Sequence, residues 1–324
     1  MVDYHLRENR GEEARFGSLF SSPLFHALHA GQNGRYFEWV SKGKVVASIH
    51  FTAVGGGLWR SPARGTFAGY EVTDGLSFEQ LFAFHDSVEA ALAQGGAEEI
   101  EILPAPEAHD PVAFARTLYL LRSRGYEICQ CDLDHSLHVD SRPLVERMNY
   151  GNRKRVNKCA RENIVPSRLT PRELDAAYDT IARNRASNGH NVSMTLEQIR
   201  IMDATFPGKL LLFGARAGED LAASAICLRI SDDVLYVLYW GDRPDYRKLS
   251  PVVTLAATIY EYCQQSGIKI LDAGTSTIDR EPNWGLISFK RALGFTESLK
   301  VRMRKRLGHG HLFQDRSGHA LERP

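Results

Sequence analysis

One order of predicted strands and helices occurs twice along the 324 residues, and this repeat limits the fold more than any single motif. In both copies, three strand-like runs precede a helix, a strand, a second helix and a final strand. Each copy is as long as a domain, so the pattern favours an ancient duplication over a solenoid of short repeats. We expect an α/β (α+β) fold with two tandem units, each a mixed, mostly antiparallel sheet flanked by helices.

The elements of each copy follow from hydrophobic periodicity and from the glycines and prolines at their ends. The first copy has predicted strands at 35–40, 45–52, 98–103 and 126–139, a further possible strand after the glycines at 55–57, and helices at 78–92 and 112–124. The second copy has predicted strands at 210–216, 222–230, 234–240, 268–272 and 299–306, and helices at 251–266 and 286–293. Further helices open the second copy at 150–163, 171–187 and 195–205. We predict domains at 1–145 and 146–307 and a poorly ordered tail at 308–324.

The charge balance excludes a strongly basic or acidic protein, because 40 Lys and Arg residues face 39 Asp and Glu residues. No run approaches the roughly 20 apolar residues of a membrane-spanning helix, and we expect a cytoplasmic protein. Five cysteines are the wrong number for a disulfide scaffold. Cys129, Cys131, His135 and His138 lie close in sequence, but residues along one strand spread apart. Buried thiols are therefore favoured over a metal site.

The two copies differ at one position of their last helix. Four residues before the glycine that ends this helix stands Leu121 in the first copy and Lys290 in the second. A lysine at a position that is apolar in the other copy costs desolvation energy unless it meets an anion or a polarised oxygen. We therefore predict that Lys290 belongs to a functional site. A solvent-exposed Lys290 is the alternative.

A loop of small and hydroxyl-bearing residues precedes the helix of Lys290. It begins at the end of a strand with Asp272, contains Thr275 and Ser276, and leads to Asn283 and Trp284. Open α/β sheets bind ligands at the carboxyl ends of their strands, where hydroxyl groups suit hydrogen bonds to a substrate. Turn formation and helix capping are the alternative roles.

The segment 283–295 resembles the closing motif of the Fem-type branch of the Gcn5-related N-acyltransferase (GNAT) superfamily, and its Phe289–Lys290 pair is the most specific part. Weaker likeness is found at 60–65, a proline, arginine and glycine segment, and at 152–160, similar to the basic helix that opens the second domain of the family. The resemblance covers roughly residues 35–306. It implies two GNAT-like domains in tandem.

The resemblance implies transfer of an acyl or aminoacyl group to an amine. In relatives, the lysine that matches Lys290 is implicated in stabilising negative charge on the donor's carbonyl oxygen or on the leaving group. Amine attack on an ester or thioester builds such charge on oxygen. His190, Asp272 or a bound water is the candidate base. We expect an acceptor amine on an amino sugar or a peptide, in cell-envelope, polysaccharide or natural-product biosynthesis.

The donor is open between acyl coenzyme A and aminoacyl-tRNA, with no tightly bound cofactor and no metal expected. The segment 245–251 lacks the glycines of the phosphate loop in coenzyme A users, although a helix N-terminus with nearby cations could bind phosphate. The predicted donor- and substrate-binding residues are Trp240, Arg247, Lys248, Ser250, Thr275, Ser276, Asn283, Trp284, Phe289, Arg153 and Arg155.

Two basic patches bear on the partners. Arg153 and Arg155 belong to a run at 152–161 without an acid, and four cations alternate along 300–306 of the final strand. These patches could contact a tRNA or a pyrophosphate, or could be a solvated helix face and a charged sheet edge. We expect neither DNA nor an integral membrane segment. The alternative function is a noncatalytic protein that binds a nucleotide or an envelope precursor on the same scaffold.

Overall fold

The computed structural model describes residues 4–9, 18–278 and 280–308. Its strands are β1 Tyr4–Asn9, β2 Gly34–Ser41, β3 Lys44–Gly55, β4 Leu58–Ser61, β5 Glu71–Val72, β6 Glu99–Ile102, β7 Glu127–His138, β8 Ile164–Arg168, β9 Leu210–Ala217, β10 Asp220–Arg229, β11 Val234–Asp242, β12 Ile270–Thr275, β13 Thr277–Ile278, β14 Glu281–Pro282 and β15 Thr296–Arg306. Its helices are α1 Pro23–Ala30, α2 Phe78–Gln94, α3 Pro111–Ser123, α4 Leu144–Arg147, α5 Tyr150–Arg161, α6 Leu174–Ser187, α7 Leu196–Thr205, α8 Pro251–Gln265 and α9 Trp284–Leu293. The predicted order of elements is present in both halves.

Thirteen strands form one sheet that runs through both halves, in the order β1-β2-β3-β4-β6-β15-β7-β12-β11-β10-β9-β8, with β5 beside β3. This order is symmetric about its centre, since β6, β4 and β3 of the first half mirror β12, β11 and β10 of the second. The halves exchange strands at that centre. The last strand, β15, lies between β6 and β7, and β7 lies between β15 and β12.

The position of β15 corrects one prediction from the sequence. Its alternating cations do not protect a sheet edge, because β15 has a strand on each side. Val301 and Met303 are buried in the core of the first half, as their alternation indicates. On the other face, Arg302 and Arg304 form ion pairs with the buried carboxylate of Glu101. This patch is therefore partly neutralised within the protein.

Alternation along the strands creates cores on the two sides of the sheet. In the first half, α2 and α3 cover one face, where Phe84, Leu120 and Leu121 are buried. In the second half, α5 and α8 cover one face of β9 to β12, and α6 and α7 cover the other. The second half is therefore a sheet between two helical layers, and the strand pair β11 and β12 lies at the end of this sheet that joins β7.

The helix of Lys290 has clear start and stop signals. Asn283 caps α9, because its side-chain oxygen accepts the Leu286 N–H at 3.0 Å. Gly294 ends the helix with φ 99°, a left-handed conformation that favours glycine. At the start of α8, by contrast, the predicted cap is not formed. Ser250 has φ 52°, and its hydroxyl donates to the Arg247 carbonyl instead of accepting a helix N–H.

None of the helices in the described residues is long and apolar enough to cross a membrane. The predicted boundary at residue 145 falls within α4. Of the predicted poorly ordered tail, residues 309–324 lie outside the described part of the chain.

Candidate active site

A cleft opens where two parallel strands of the second half separate. β11 and β12 pair over Val234–Tyr236 and Ile270–Asp272, and this register ends there. The cleft beyond it has a volume of about 290 Å³. Its lining comes from the later part of β11, the end of β12, α6, α8 and α9: Asn184, Arg185, Tyr236, Val237, Leu238, Trp240, Gly241, Asp242, Val252, Ala273, Gly274, Thr275, Leu286, Phe289 and Lys290.

Lys290 lies at the base of this cleft and is fully buried, with an exposure of 0%. Its ammonium donates to the carbonyl oxygens of Gly274 at 2.7 Å and Thr275 at 2.9 Å. An ammonium group has three N–H donors, and these two carbonyl groups are the acceptors that the described residues give it. The alternative of a solvent-exposed Lys290 is therefore wrong.

Burial lowers the pKa of Lys290 to about 8, while the carboxyl groups of Asp134 and Asp272 act in the opposite direction. Arg185, which also lines the cleft, lowers the pKa of Lys290 further as a like charge. The ammonium form still predominates at neutral pH. The cleft thus presents a poorly hydrated cation, whose interaction with a developing oxyanion is stronger than it would be in water.

Asp272 holds the turn that supports Lys290. Its Oδ1 atom accepts the Gly274 N–H at 2.6 Å, and its Oδ2 atom lies 2.7 Å from Nε2 of His109. Burial opposes ionisation of this carboxyl, but His109 and the Gly274 N–H outweigh it and hold its pKa below the ordinary value. Asp272 is therefore a buried carboxylate, and His109 comes from the opposite half of the chain.

Asp134 on β7 is a second buried carboxyl group beside Asp272. Burial, followed by the negative charge of Asp272, raises its pKa well above the ordinary value. Neither of its oxygens has a hydrogen-bond donor among the described residues. Two neighbouring buried carboxyl groups cannot both ionise cheaply, so Asp134 keeps its proton and Asp272 is the charged partner.

Three other residues predicted from the sequence lie on the same cleft. Trp240 and Phe289 pack edge to face with ring centroids 5.9 Å apart, which gives the cleft an apolar aromatic wall. Thr275 supplies a carbonyl group to Lys290 and also lines the cleft. The aromatic wall suits an acyl chain, and the polar base suits a carbonyl group.

Other predicted residues of this loop region have different surroundings. Ser276 is buried away from the cleft lining, and its hydroxyl lies 3.0 Å from Nδ1 of His135. Asn283 is engaged as the cap of α9, and Trp284 beside it is 71% exposed. His190 is exposed and does not line the cleft.

The predicted phosphate-binding residues lie outside the cleft lining. Arg247 and Lys248 are exposed, and the Arg247 guanidinium donates to the Ser187 hydroxyl at 2.8 Å. The first turn of α8 nevertheless borders the cleft through Val252. On α5, Arg153 donates to the Met148 carbonyl, and Arg155 donates to the Asn152 side chain.

Sequence reasoning missed His109, Asp134 and Arg185. His109 shares no motif with the second half, and 163 positions separate it from Asp272. Asp134 gave a usable signal, because an acid at a central position of a long strand is unusual unless the site needs it. Arg185 gave none, since helices often carry arginines on exposed faces.

The cysteine prediction is partly wrong. Cys129 is half-buried and Cys131 is exposed, whereas Cys159, Cys227 and Cys263 are the buried thiols. In the described part of the chain, no group of three or more His, Cys, Asp or Glu side chains could hold a metal ion.

Residues 148–283 match the model of the acetyltransferase (GNAT) domain. The structure of FemX aligns over 91% of this chain and 94% of FemX, with 14% identity and a TM-score of 0.68. L-PGS from Bacillus licheniformis aligns over 84% of this chain and 83% of its own, with 12% identity and a TM-score of 0.58. A tandem GNAT protein from the clavulanic acid biosynthesis pathway aligns over 95% and 100%, with 12% identity and a TM-score of 0.54. No curated protein matches the chain.

At these low sequence identities, the structural alignments show the fold of the chain and no more. The predicted fold class, two GNAT-like units in tandem with a mostly antiparallel sheet and flanking helices, is confirmed. The match to the domain model ends seven positions before Lys290, so the assignment of this lysine depends on the geometry of the cleft.

Proposed function

We propose, from the premise that this chain has the tandem GNAT fold and matches a GNAT domain model over residues 148–283, that it is an N-acyltransferase with its reaction centre in the cleft between β11 and β12. The observation that carries the proposal is the buried ammonium of Lys290, which donates to two carbonyl groups in the lining of a cleft with an aromatic wall. A buried cation without a full ion pair reduces stability, and such a cost is common at functional sites.

In the proposed reaction, the nitrogen of a neutral amine attacks the donor's carbonyl carbon and forms an N–C bond. The carbonyl oxygen becomes an oxyanion, and the third N–H of Lys290 stabilises it. The intermediate collapses when the C–S bond of a thioester or the C–O bond of an ester breaks. The leaving sulfur or oxygen takes up a proton, and the nitrogen loses one.

The donor is an acyl coenzyme A or an aminoacyl-tRNA, and no tightly bound cofactor is required because the donor already carries the activated acyl group. Among the structural neighbours, the name of the tandem GNAT protein mentions AcCoA, and another neighbour is named as a domain of a putative lysylphosphatidylglycerol synthetase. Both donors keep the same carbonyl chemistry at Lys290.

An amine acceptor suits a second cavity, of about 500 Å³, between the two halves. Four acidic residues line this inter-half cavity: Glu71, Asp74, Asp110 and Asp233. Burial raises the pKa of Glu71, and an ammonium group bound beside it would favour its charged form. His109 lies on the wall of the cavity, and its Nε2 atom lies 2.7 Å from Oδ2 of the buried Asp272. We propose an amino sugar or peptide amine of envelope or natural-product biosynthesis as the acceptor.

A mass-spectrometric assay tests the proposal. Purified protein is offered acyl coenzyme A thioesters and charged tRNA in parallel, with amino sugars and peptide amines as acceptors and with ribonuclease as a control. Acylated amine in either arm, absent with the Lys290→Met variant, supports the proposal. Loss of product after ribonuclease treatment identifies the tRNA donor.

Binding of a nucleotide or envelope precursor without product from any donor would overturn the enzymatic assignment. It would favour a noncatalytic binding protein on the same scaffold.

A further inference from the structure

His109 is a first-half residue that reaches the second-half site. It lies between β6 and α3, its side chain is only 8% exposed, and its ring packs edge to face on Phe67 with centroids 5.0 Å apart. Nε2 of His109 lies 2.7 Å from Oδ2 of Asp272. Because Asp272 is a carboxylate, the Nε2–H of His109 is the donor of this hydrogen bond.

From His109, a continuous series of hydrogen bonds leads to Lys290. Oδ1 of Asp272 accepts the Gly274 N–H at 2.6 Å, and the Gly274 carbonyl accepts from the Lys290 ammonium at 2.7 Å. The Gly274 backbone is in the left-handed conformation, with φ 73°. A Cβ atom added at this position would lie 3.2 Å from the hydroxyl oxygen of Tyr236. This turn has little freedom to rearrange, so a change at Asp272 is transmitted to the carbonyl groups that hold Lys290.

The placement of charge in the buried carboxyl pair also depends on His109. Asp134 and Asp272 are both buried, and burial together with the negative charge of Asp272 raises the pKa of Asp134. Asp134 has no donor among the described residues, whereas Asp272 has the Gly274 N–H and His109. The asymmetry in donors therefore keeps the negative charge on Asp272.

We infer that His109 is a positioning residue through which the first half fixes the Asp272 carboxylate and, through it, the charge and position of Lys290. The effect on turnover rests on the proposed function, but the effect on Lys290 itself does not. Other charged and titratable groups surround this series of hydrogen bonds. They are Asp134 and His135 on β7, Lys300 on β15, Tyr236 on β11 and Arg185 on α6.

The test compares His109→Phe with His109→Gln in the full-length protein. Phenylalanine keeps the ring packing and removes the N–H, so burial should make Asp272 take up a proton from solvent while Asp134 keeps its own, and the pair becomes neutral. Lys290 then loses a neighbouring negative charge that raises its pKa. Glutamine keeps a donor near the position of Nε2 and should preserve most of the carboxylate.

The readout is the pKa of Lys290 from NMR titration of protein labelled with ¹³C at lysine Cε, with Lys290→Met used to assign the resonance. The pKa should fall by about one pH unit in His109→Phe and by much less in His109→Gln. His138→Phe, which removes an exposed histidine, is the control and should leave it unchanged. An unchanged pKa in a folded His109→Phe variant would overturn the inference.

A second readout separates this inference from the proposed function. If the protein transfers acyl groups, the alkaline limb of its pH–rate profile should move to lower pH in His109→Phe, with a smaller effect on KM. A shifted Lys290 pKa in His109→Phe, together with no acyl product from the wild-type protein, would leave the positioning role intact and refute the acyltransferase proposal. Acyl transfer by the wild-type protein, with an unchanged Lys290 pKa in His109→Phe, would support the acyltransferase proposal and refute the positioning role of His109.

Discussion

The two halves of the chain place different residues at the same buried position. Leu121 and Lys290 each lie four residues before a left-handed glycine, and both have an exposure of 0%. Leu121 packs in the first-half core, whereas Lys290 donates to two carbonyl groups at the base of a cleft. The comparison teaches that the two halves contain equivalent interior positions and that only the one in the second half is polar.

The strands beside these positions explain the difference. In the first half, β4 and β6 pair along all four residues of both strands, and a bridge between Ala68 and Pro104 continues the contact. In the second half, the register of β11 and β12 ends after Tyr236 and Asp272. Because β11 and β12 separate, the carbonyl groups of Gly274 and Thr275 can accept hydrogen bonds from an ammonium group. The carbonyl groups of a fully paired strand are already engaged with its neighbours.

The largest effect on stability is expected when the first-half position is given the lysine of the second half. Leu121→Lys would bury an ammonium among apolar side chains with no carbonyl partner, which should cost about 4 kcal/mol or more of unfolding free energy. Chemical denaturation measures it, with Leu121→Met as the size-matched control. A Leu121→Lys protein as stable as the control would show that the two interiors are not different.

The next largest effect is expected when the second-half position is made apolar, as it is in the first half. Lys290→Met should lower turnover by at least about 100-fold, or about 2.7 kcal/mol in activation free energy, because the oxyanion loses its donor. Single-turnover kinetics measure it, with circular dichroism to confirm the fold. Retained turnover in Lys290→Met would remove the basis for the site.

The same variant should gain stability. Burial lowers the pKa of Lys290 from 10.5 to about 8, so the unfolded chain binds this proton more tightly and the folded state is penalised at neutral pH. Replacing the ammonium with methionine should raise the unfolding free energy by about 1–3 kcal/mol, after allowance for two lost hydrogen bonds. The stability gain should shrink as the pH rises from 8 to 10.5, and a loss of stability at pH 7 would contradict the electrostatic account.

A smaller effect sharpens the comparison within the cleft. The Arg185 guanidinium is partly buried in the lining, and the structure gives it no ion pair among the described residues. Arg185→Gln should raise KM about tenfold, or about 1.4 kcal/mol, for whichever substrate carries an anionic group. Arg183→Gln is the matched control, because Arg183 is exposed and pairs with Asp179 on the same helix. Equal KM values in the two variants would exclude this role.

Much of the fold could be predicted from the sequence, because strand and helix periodicity is local. The same holds for Lys290, since its helix and the terminating glycine align with those of the first copy. Strand exchange could not be predicted, since the alternation of β15 shows which residues face the core but not that β6 and β7 are its neighbours. The role of His109 could not be predicted for a related reason, because only the folded sheet brings His109 close to Asp272.

The pH dependence of acyl transfer tests most directly whether a buried ammonium drives the reaction. If Lys290 must be charged, the rate divided by the fraction of neutral acceptor amine should fall about tenfold per pH unit above pH 8, where the Lys290 ammonium deprotonates. An acceptor amine acting alone predicts no fall in this ratio, because the division already accounts for its neutral form. A ratio that stays constant to pH 10 would contradict the account.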